Sequence, residues 1–346
     1  MIHIDGSQGE GGGQVLRSAL TLAILTGKTT RIDRIRARRP KPGLMAQHLQ
    51  AVRAAAAVSE AHVEGDKPGS TSLSFEPRRI VSGRFHFEIG TAGSTSLVLQ
   101  TIVVPLSLAG GISQIRVRGG THVPWSPSFH YLQWHWLPFM RRIGLDFDME
   151  LGAAGFYPRG GGVIRCEVRP VRRLAALTFT ERGACRRIHG ISAVARLDPR
   201  IAERQRSRAI ERLNPVGVPM DITVEELPAG SPGTMLLLSA EFEASRWCFS
   251  SLGARGKPAE RVADDAIDAF YAFQATAAAV DSFLADQLII PLALADGVST
   301  LHTAGITQHL VTNVDVVRAF LPVDIAIEGA VGQSGMVRIR GAGTSC

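Results

Sequence analysis

No Cys-x-x-Cys pair occurs in this chain, and its four cysteines, Cys166, Cys185, Cys248 and Cys346, stand far apart. That spacing points to neither a zinc site nor a disulfide scaffold, and so to a cytoplasmic protein. Long hydrophobic runs are lacking as well. The longest apolar-rich stretch, 277–294, is broken by Asp281, Asp286 and Gln287, so no membrane span and no signal peptide are expected. Ten histidines are present, but no His-Glu-x-x-His pattern. They form no metal site by themselves, and His130 and His135 flank aromatic residues that read as a buried helix face. Neither Ser126 nor Ser250 lies in a nucleophile elbow, which leaves serine hydrolysis without support. The stretch Gly253-Ala254-Arg255-Gly256-Lys257-Pro258 imitates a P-loop. Proline follows the lysine where a hydroxyl is needed for magnesium, so it is discarded as a nucleotide loop.

Acidic residues are the scarcer charge, 31 against 38 basic ones, for a formal +7 and a pI near 9.7. The excess is uneven. Arg31, Arg34, Arg36, Arg38, Arg39 and Lys41 crowd into one short strip, which favours a phosphate-bearing partner; the alternative is a solvated arginine-rich face. Upstream, residues 9–18 read Gly-Glu-Gly-Gly-Gly-Gln-Val-Leu-Arg-Ser, between strand-like alternation over 1–5 and helical spacing over 15–27. Unpaired N–H groups at a helix start can face an anion. No Gly-Lys-Ser/Thr follows, and Gln14 occupies the third glycine position of a dinucleotide fingerprint, so neither of those motifs applies. A tight turn exploiting glycine's backbone freedom is the competing reading.

At 346 residues the chain has room for two domains or one large one. The predicted order over 3–75 is strand, helix, strand (29–36), helix, strand, strand, and the same order returns over 84–168. A third copy comprises a helix over 277–294, a strand over 299–302, a helix over 307–320 and strands over 323–328 and 336–340. Its first strand, 177–179, lies far upstream. The second and third copies share wording, Val-Pro-Leu-Ser-Leu-Ala-Gly-Gly at 104–111 against Ile-Pro-Leu-Ala-Leu-Ala-Asp-Gly at 290–297. Internal duplication follows. The fold class is therefore α/β (α+β): a large domain of three β-α-β-α-β-β repeats, 1–181 and 275–346, with a smaller α/β domain inserted at 182–274. Strands over 188–195, 220–225 and 234–242 and helices over 199–213 and 260–273 are expected within the insertion. His309 opens the helix over 307–320. A helix start supports an anion beside the ring and favours the neutral, nucleophilic imidazole; a cap or packed side chain is the alternative.

Two stretches, Asp5-Gly6-Ser7-Gln8-Gly9-Glu10-Gly11-Gly12-Gly13-Gln14-Val15-Leu16-Arg17-Ser18 and Arg36-Ala37-Arg38-Arg39-Pro40-Lys41-Pro42-Gly43-Leu44 with Gln47-His48-Leu49, resemble the RNA 3′-terminal phosphate cyclase family. Gly90-Thr91-Ala92-Gly93-Ser94, Gly119-Gly120-Thr121, Gly155-Phe156-Tyr157-Pro158-Arg159-Gly160 and Leu284-Ala285-Asp286-Gln287-Leu288 are similar to it in the same order.

The resemblance implies a ligase-type, ATP-dependent enzyme acting on RNA ends. A histidine, by motif His309, attacks the α-phosphate of ATP; the adenylate passes to an RNA 3′-phosphate; the neighbouring 2′-hydroxyl then expels AMP and closes a 2′,3′-cyclic phosphate. It further implies that Glu10 holds magnesium or manganese and that Arg17, Arg36, Arg39 and Gln47 grip the RNA phosphate. Gln100, Pro127, Phe249, Phe283, Asp286 and Gln287 fall at the nucleotide pocket. Arg38 stands where the family has glycine, and Phe283 replaces a tyrosine. The same resemblance admits a non-catalytic ribosome-assembly branch, against which His309 argues, and the repeats admit an enolpyruvate transferase. No membrane partner is expected, and between a monomer and a homodimer the sequence does not choose.

Overall fold

The structure is a computed structural model and describes residues 1–9 and 11–343. Its first unit runs β1 (Ile2–Asp5), α1 (Gly13–Thr26), β2 (Thr30–Asp33), α2 (Ala46–Ser59), β3 (His62–Glu64) and β4 (Leu73–Glu76). The strands lie in the order β1-β2-β4-β3. Only β1 and β2 are parallel, because α1 supplies the crossover that a parallel pair needs.

The second unit repeats this plan with β5 (Arg84–Glu88), α3 (Thr95–Ser107), β6 (Ser113–Gly119), a helical stretch, β7 (Asp146–Ala153) and β8 (Gly162–Arg169), ordered β5-β6-β8-β7. That stretch is α4 (Phe129–Tyr131) and α5 (Leu137–Ile143), joined by a π turn at Leu132–Trp136. In β6 Ile115 and Val117 are buried while Gln114, Arg116 and Arg118 are exposed, the alternation of a sheet with one wet face.

The third unit opens with β9 (Thr178–Phe179) and is then interrupted by β10 (Cys185–Ala195), α6 (Arg200–Leu213), β11 (Met220–Glu226), β12 (Gly233–Phe242), β13 (Arg246–Leu252) and α7 (Ala259–Gln274). It resumes with α8 (Ser282–Ala293), β14 (Val298–Thr303), α9 (Gln308–Phe320), β15 (Asp324–Glu328) and β16 (Gly335–Arg340). Its order, β9-β14-β16-β15, repeats the other two; the interrupting sheet runs β11-β10-β12-β13. The shared wording of the second and third copies falls at one structural place. Pro105 and Pro291 sit in the last turns of α3 and α8, and their carbonyls accept from the N–H groups of Leu108 and Leu294.

Helix α1 is buried along most of its length and packs on α2, α3 and α9, so the repeats meet around it. The interrupting sheet is buried on both faces. Ile191, Ala193, Met235 and Leu237 join the main core, while Ile188, Leu236 and Leu238 form a second core with α6 and α7.

Three expectations change. The helix expected from 277 starts at Ser282, because Asp281 caps it, Oδ1 accepting from the N–H groups of Phe283 and Leu284 (both 3.0 Å). The strand expected over 29–36 stops at Asp33, since Arg34 and Arg36 both take positive φ (53° and 55°) and turn the chain. Strand β13 was not anticipated; it pairs along β12 as the edge of the interrupting sheet and carries Phe249.

Candidate active site

The glycine cluster lies between the C-terminal end of β1 and the start of α1. Gly9 and Gly11 take φ of +58° and +57°, and a Cβ added at Gly9 would stand 1.9 Å from Thr312 Oγ1. The loop thus presses on α9. Helix α1 starts at Gly13 behind Gly12, which provides no side-chain cap, so its first N–H groups are available to an anion. The loop's acidic member, Glu10, lies outside the described residues.

Against this loop stand the arginines. Arg38 donates to the Gly9 carbonyl (3.0 Å), and a Cβ at Gly12 would lie 3.0 Å from Arg39 Nη2. Arg36 donates through Nη1 to the carbonyls of Lys41 (2.8 Å) and Gly43 (2.9 Å). A Cβ at Gly13 would lie 2.8 Å from Arg17 Nη1 and 2.4 Å from His48 Nε2, so these two side chains meet at the helix start. Burial pulls the Arg17 guanidinium down to about 10, with Asp286 opposing. Burial and Arg39 also lower Arg36. Burial, with Arg17 and Arg36 beside it, holds His48 at about 3, hence neutral, and its Nδ1 has no hydrogen-bond partner among the described residues. These depressions come first from burial and second from the cations lying beside one another.

Gln47 faces the same place from the second residue of α2. Its Oε1 accepts from Ser94 N (2.7 Å), which leaves its amide NH2 as the donor end. Arg17 and Arg39 thus lie at the start of α1, Arg36 lies beside Arg39 and His48, and Gln47 bonds the start of α3.

A second group lies where α1, α8 and α9 converge. Asp286 Oδ1 accepts from Gln14 Nε2 (2.6 Å), Asn313 Nδ2 donates to the Asp286 carbonyl (3.0 Å), and Ser18 Oγ donates to Asn313 Oδ1 (2.6 Å). Gln100 on α3 donates to Gln287 on α8 (2.8 Å). Phe249 and Phe283 stand 6.4 Å apart at the mouth of a cavity of about 250 Å³, also lined by Trp247, Phe273 and Asp281. Of the residues expected at a nucleotide pocket, Phe249 and Phe283 line that cavity, while Gln100, Pro127, Asp286 and Gln287 do not.

His309 is the second residue of α9, behind the Thr307 cap, whose hydroxyl accepts from Leu310 N (2.9 Å). It lies three residues before Thr312, and residues so spaced share a helix face. Thr312 is the residue beneath Gly9, which turns the His309 face toward the glycine loop. Gln14, Ser18, His48 and Asn313 were not anticipated as site residues. Their one signal is a polar side chain on an otherwise apolar helical stripe.

Fold and site together describe an α/β protein of three repeated units, with a glycine loop and a group of arginines where the first unit meets α9. The family model for RNA 3′-terminal phosphate cyclase matches residues 8–327. The chain is 46% identical to the RNA 3′-terminal phosphate cyclase of Ralstonia nicotianae over 98% of its own length and 96% of the relative's. It is 40% identical to that of Methanopyrus kandleri, with 99% of both chains covered. This chain belongs to the RNA 3′-terminal phosphate cyclase family, which makes it a ligase-type enzyme. A solved enolpyruvyl transferase, NikO from Streptomyces tendae, gives a TM-score of 0.43 at 11% identity, covering 99% of this chain and 48% of that one. So low a likeness bears on neither fold nor function. Among the described residues no helix is long and apolar enough to cross a membrane.

Proposed function

We propose that this protein converts an RNA 3′-terminal phosphate to a 2′,3′-cyclic phosphodiester at the expense of ATP. In this reading His309 attacks the α-phosphorus, a P–N bond forms and pyrophosphate leaves. An oxygen of the RNA 3′-phosphate then attacks the same phosphorus, freeing His309 and forming an RNA-phosphate–AMP anhydride. The 2′-hydroxyl attacks the activated phosphate, loses its proton and expels AMP. A terminal phosphate dianion has no good leaving group, and the anhydride supplies one. Ring closure is intramolecular, where effective molarities reach roughly 10⁵–10⁸ M.

The observation that carries the reading is the crowding of Arg17 and Arg36 beside a neutral His48, with Arg39 beside Arg36, at the uncapped start of α1. Arginine forks in this arrangement suit a terminal phosphate. Gln47 would donate to the same phosphate, and the Phe249–Phe283 cavity with Pro127, Gln100, Asp286 and Gln287 would take the nucleoside. Asp286 already bonds Gln14 and Asn313, so its part is first to fix α8 against α1 and α9.

Among the described residues no group of three or more His, Cys, Asp or Glu side chains could hold a metal. Magnesium or manganese fits on other terms, since such an ion is often held by one carboxylate, here Glu10, with substrate phosphates and water. When bound it would neutralise charge on the ATP phosphates. A cytoplasmic location and the division at 182–274 belong to the same proposal. Incubation with α-phosphate-labelled ATP and a divalent metal tests it. Acid-labile label is expected on the wild-type polypeptide and absent from His309→Ala; an unlabelled wild type refutes the mechanism.

A further inference from the structure

Two large aromatic side chains are left uncovered beside the phosphate grip. Trp125, at the tip of the 121–127 loop, is 100% exposed, and Tyr157, in the 155–160 loop, is 68% exposed. Trp125 also holds φ at +63°, a conformation that costs a non-glycine residue roughly 1 kcal/mol or more. A wholly exposed tryptophan buries nothing in return, so the fold does not account for its position.

The backbones beneath both side chains are firmly built. Thr121 N and His122 N donate to the Gly155 carbonyl (2.9 and 3.1 Å), and Gly155 N donates back to Thr121 Oγ1 (2.9 Å). The His122 ring stacks on Phe156 with centroids 5.0 Å apart, and its Nε2 lies 2.8 Å from His130 Nδ1. The connection between β11 and β12 braces the second loop. Ser231, itself buried, accepts from Phe156 N (2.7 Å) and donates to the Gly160 carbonyl (2.9 Å), while Ala154 N donates to the Pro228 carbonyl (2.6 Å).

These loops continue directly from the phosphate grip. A Cβ at Gly160 would stand 2.8 Å from Ala92 Cα, and one at Gly93 would stand 2.9 Å from Gln47 Cβ. Contacts therefore run unbroken from Gln47 through residues 92–94 to Gly160, two positions from the Tyr157-Pro158 pair. Arg159, exposed on the same loop, adds a cation.

We propose that Trp125 and Tyr157, with Arg159, form a stacking platform for the nucleotides immediately upstream of the RNA 3′-phosphate. Single-stranded RNA is held by stacking splayed bases on aromatic faces and by pairing its backbone with arginine. The platform gives the 182–274 segment a task, since Ser231 holds one of its two loops. It rests on the cyclase reading above.

The test compares a 3′-phosphorylated single-stranded oligoribonucleotide with a nucleoside 3′-monophosphate, in wild type and in the Trp125→Ala/Tyr157→Ala double variant. The double variant should raise KM for the oligonucleotide on the order of tenfold per base released, leave kcat little changed and cyclise the mononucleotide as wild type does. Labelling by ATP in the absence of RNA should stay at the wild-type rate. An unchanged oligonucleotide KM overturns the platform; so does a raised KM for ATP, which would assign Trp125 to adenine. Binding is read separately from chemistry through tryptophan fluorescence. The oligonucleotide should quench wild type and not Trp125→Phe, and equal quenching in both refutes the proposal even if neither protein cyclises RNA.

Discussion

Arg17 and His48 meet at the start of α1 with their charges in conflict, and His48 yields. It stays neutral, held at about 3 by burial and by the flanking arginines. The linkage to stability has a definite sign. Below the ordinary histidine value of 6.5, the unfolded chain takes a proton that folded His48 refuses, so stability falls as pH drops from 6.5 toward 3 and the contribution is complete above 6.5. Its slope approaches about 1.4 kcal/mol per pH unit within that window. Urea midpoints across pH 3–7 should therefore fall more steeply for wild type than for His48→Gln; parallel curves would show that His48 titrates like an exposed histidine. Saturating phosphate should flatten the wild-type curve, because a bound phosphate anion stabilises the imidazolium. Only part of this was legible in the sequence. The basic strip announced an anion partner, but Arg17 lies outside it and meets His48 only through the fold, which no spacing along residues 31–41 encodes.

At the level of elements, α8 is the one the nucleotide proposal depends on most, and its start is fixed by Asp281. One carboxylate oxygen caps the helix, while the other lies 2.7 Å from Nε2 of the fully buried His135 in the π turn. Asp281→Ala loses the cap, at about 1 kcal/mol, and strands His135. The start of α8, with Phe283, should shift, raising KM for ATP in self-adenylation while kcat changes less. Asp281→Asn keeps an N-cap acceptor and should restore much of the loss; equal defects in both variants would place the importance of Asp281 elsewhere. This region also shows where sequence reading ran out. The order of helices and strands in the three units followed from periodicity, because each helix carries a buried stripe and each inner strand alternates. The extra turn and a half assigned to α8 arose because 277–281 is as apolar as the helix, apart from Asp281, whose capping role is a local hydrogen-bond choice. Strand β13 escaped because Arg246-Trp247-Cys248-Phe249-Ser250-Ser251-Leu252 does not alternate cleanly: Trp247 and Cys248 are both buried, one against each core.

Across the whole molecule, the interrupting segment is topologically separate and energetically shared. Its sheet has the order β11-β10-β12-β13 and closes its own core on α6 and α7, which a free-standing domain also does. Its other face differs. Ile191, Ala193, Ala195, Met235, Leu237 and Cys248 are all nearly inaccessible and belong to the main core. Burying side chains of this kind contributes on the order of 25 cal/mol per Å², so separating the two bodies would expose surface that neither can cover alone. Thermal unfolding should accordingly be one cooperative transition, with the same midpoint by near-ultraviolet and far-ultraviolet circular dichroism and a calorimetric enthalpy equal to the van't Hoff value. Replacing 182–274 by a short glycine-serine link should yield a chain that binds hydrophobic dye or fails to stay in solution. Two separated transitions, or a well-folded deletion variant with wild-type adenylation by ATP, would show instead that the shared face contributes little and that three repeats suffice for the core.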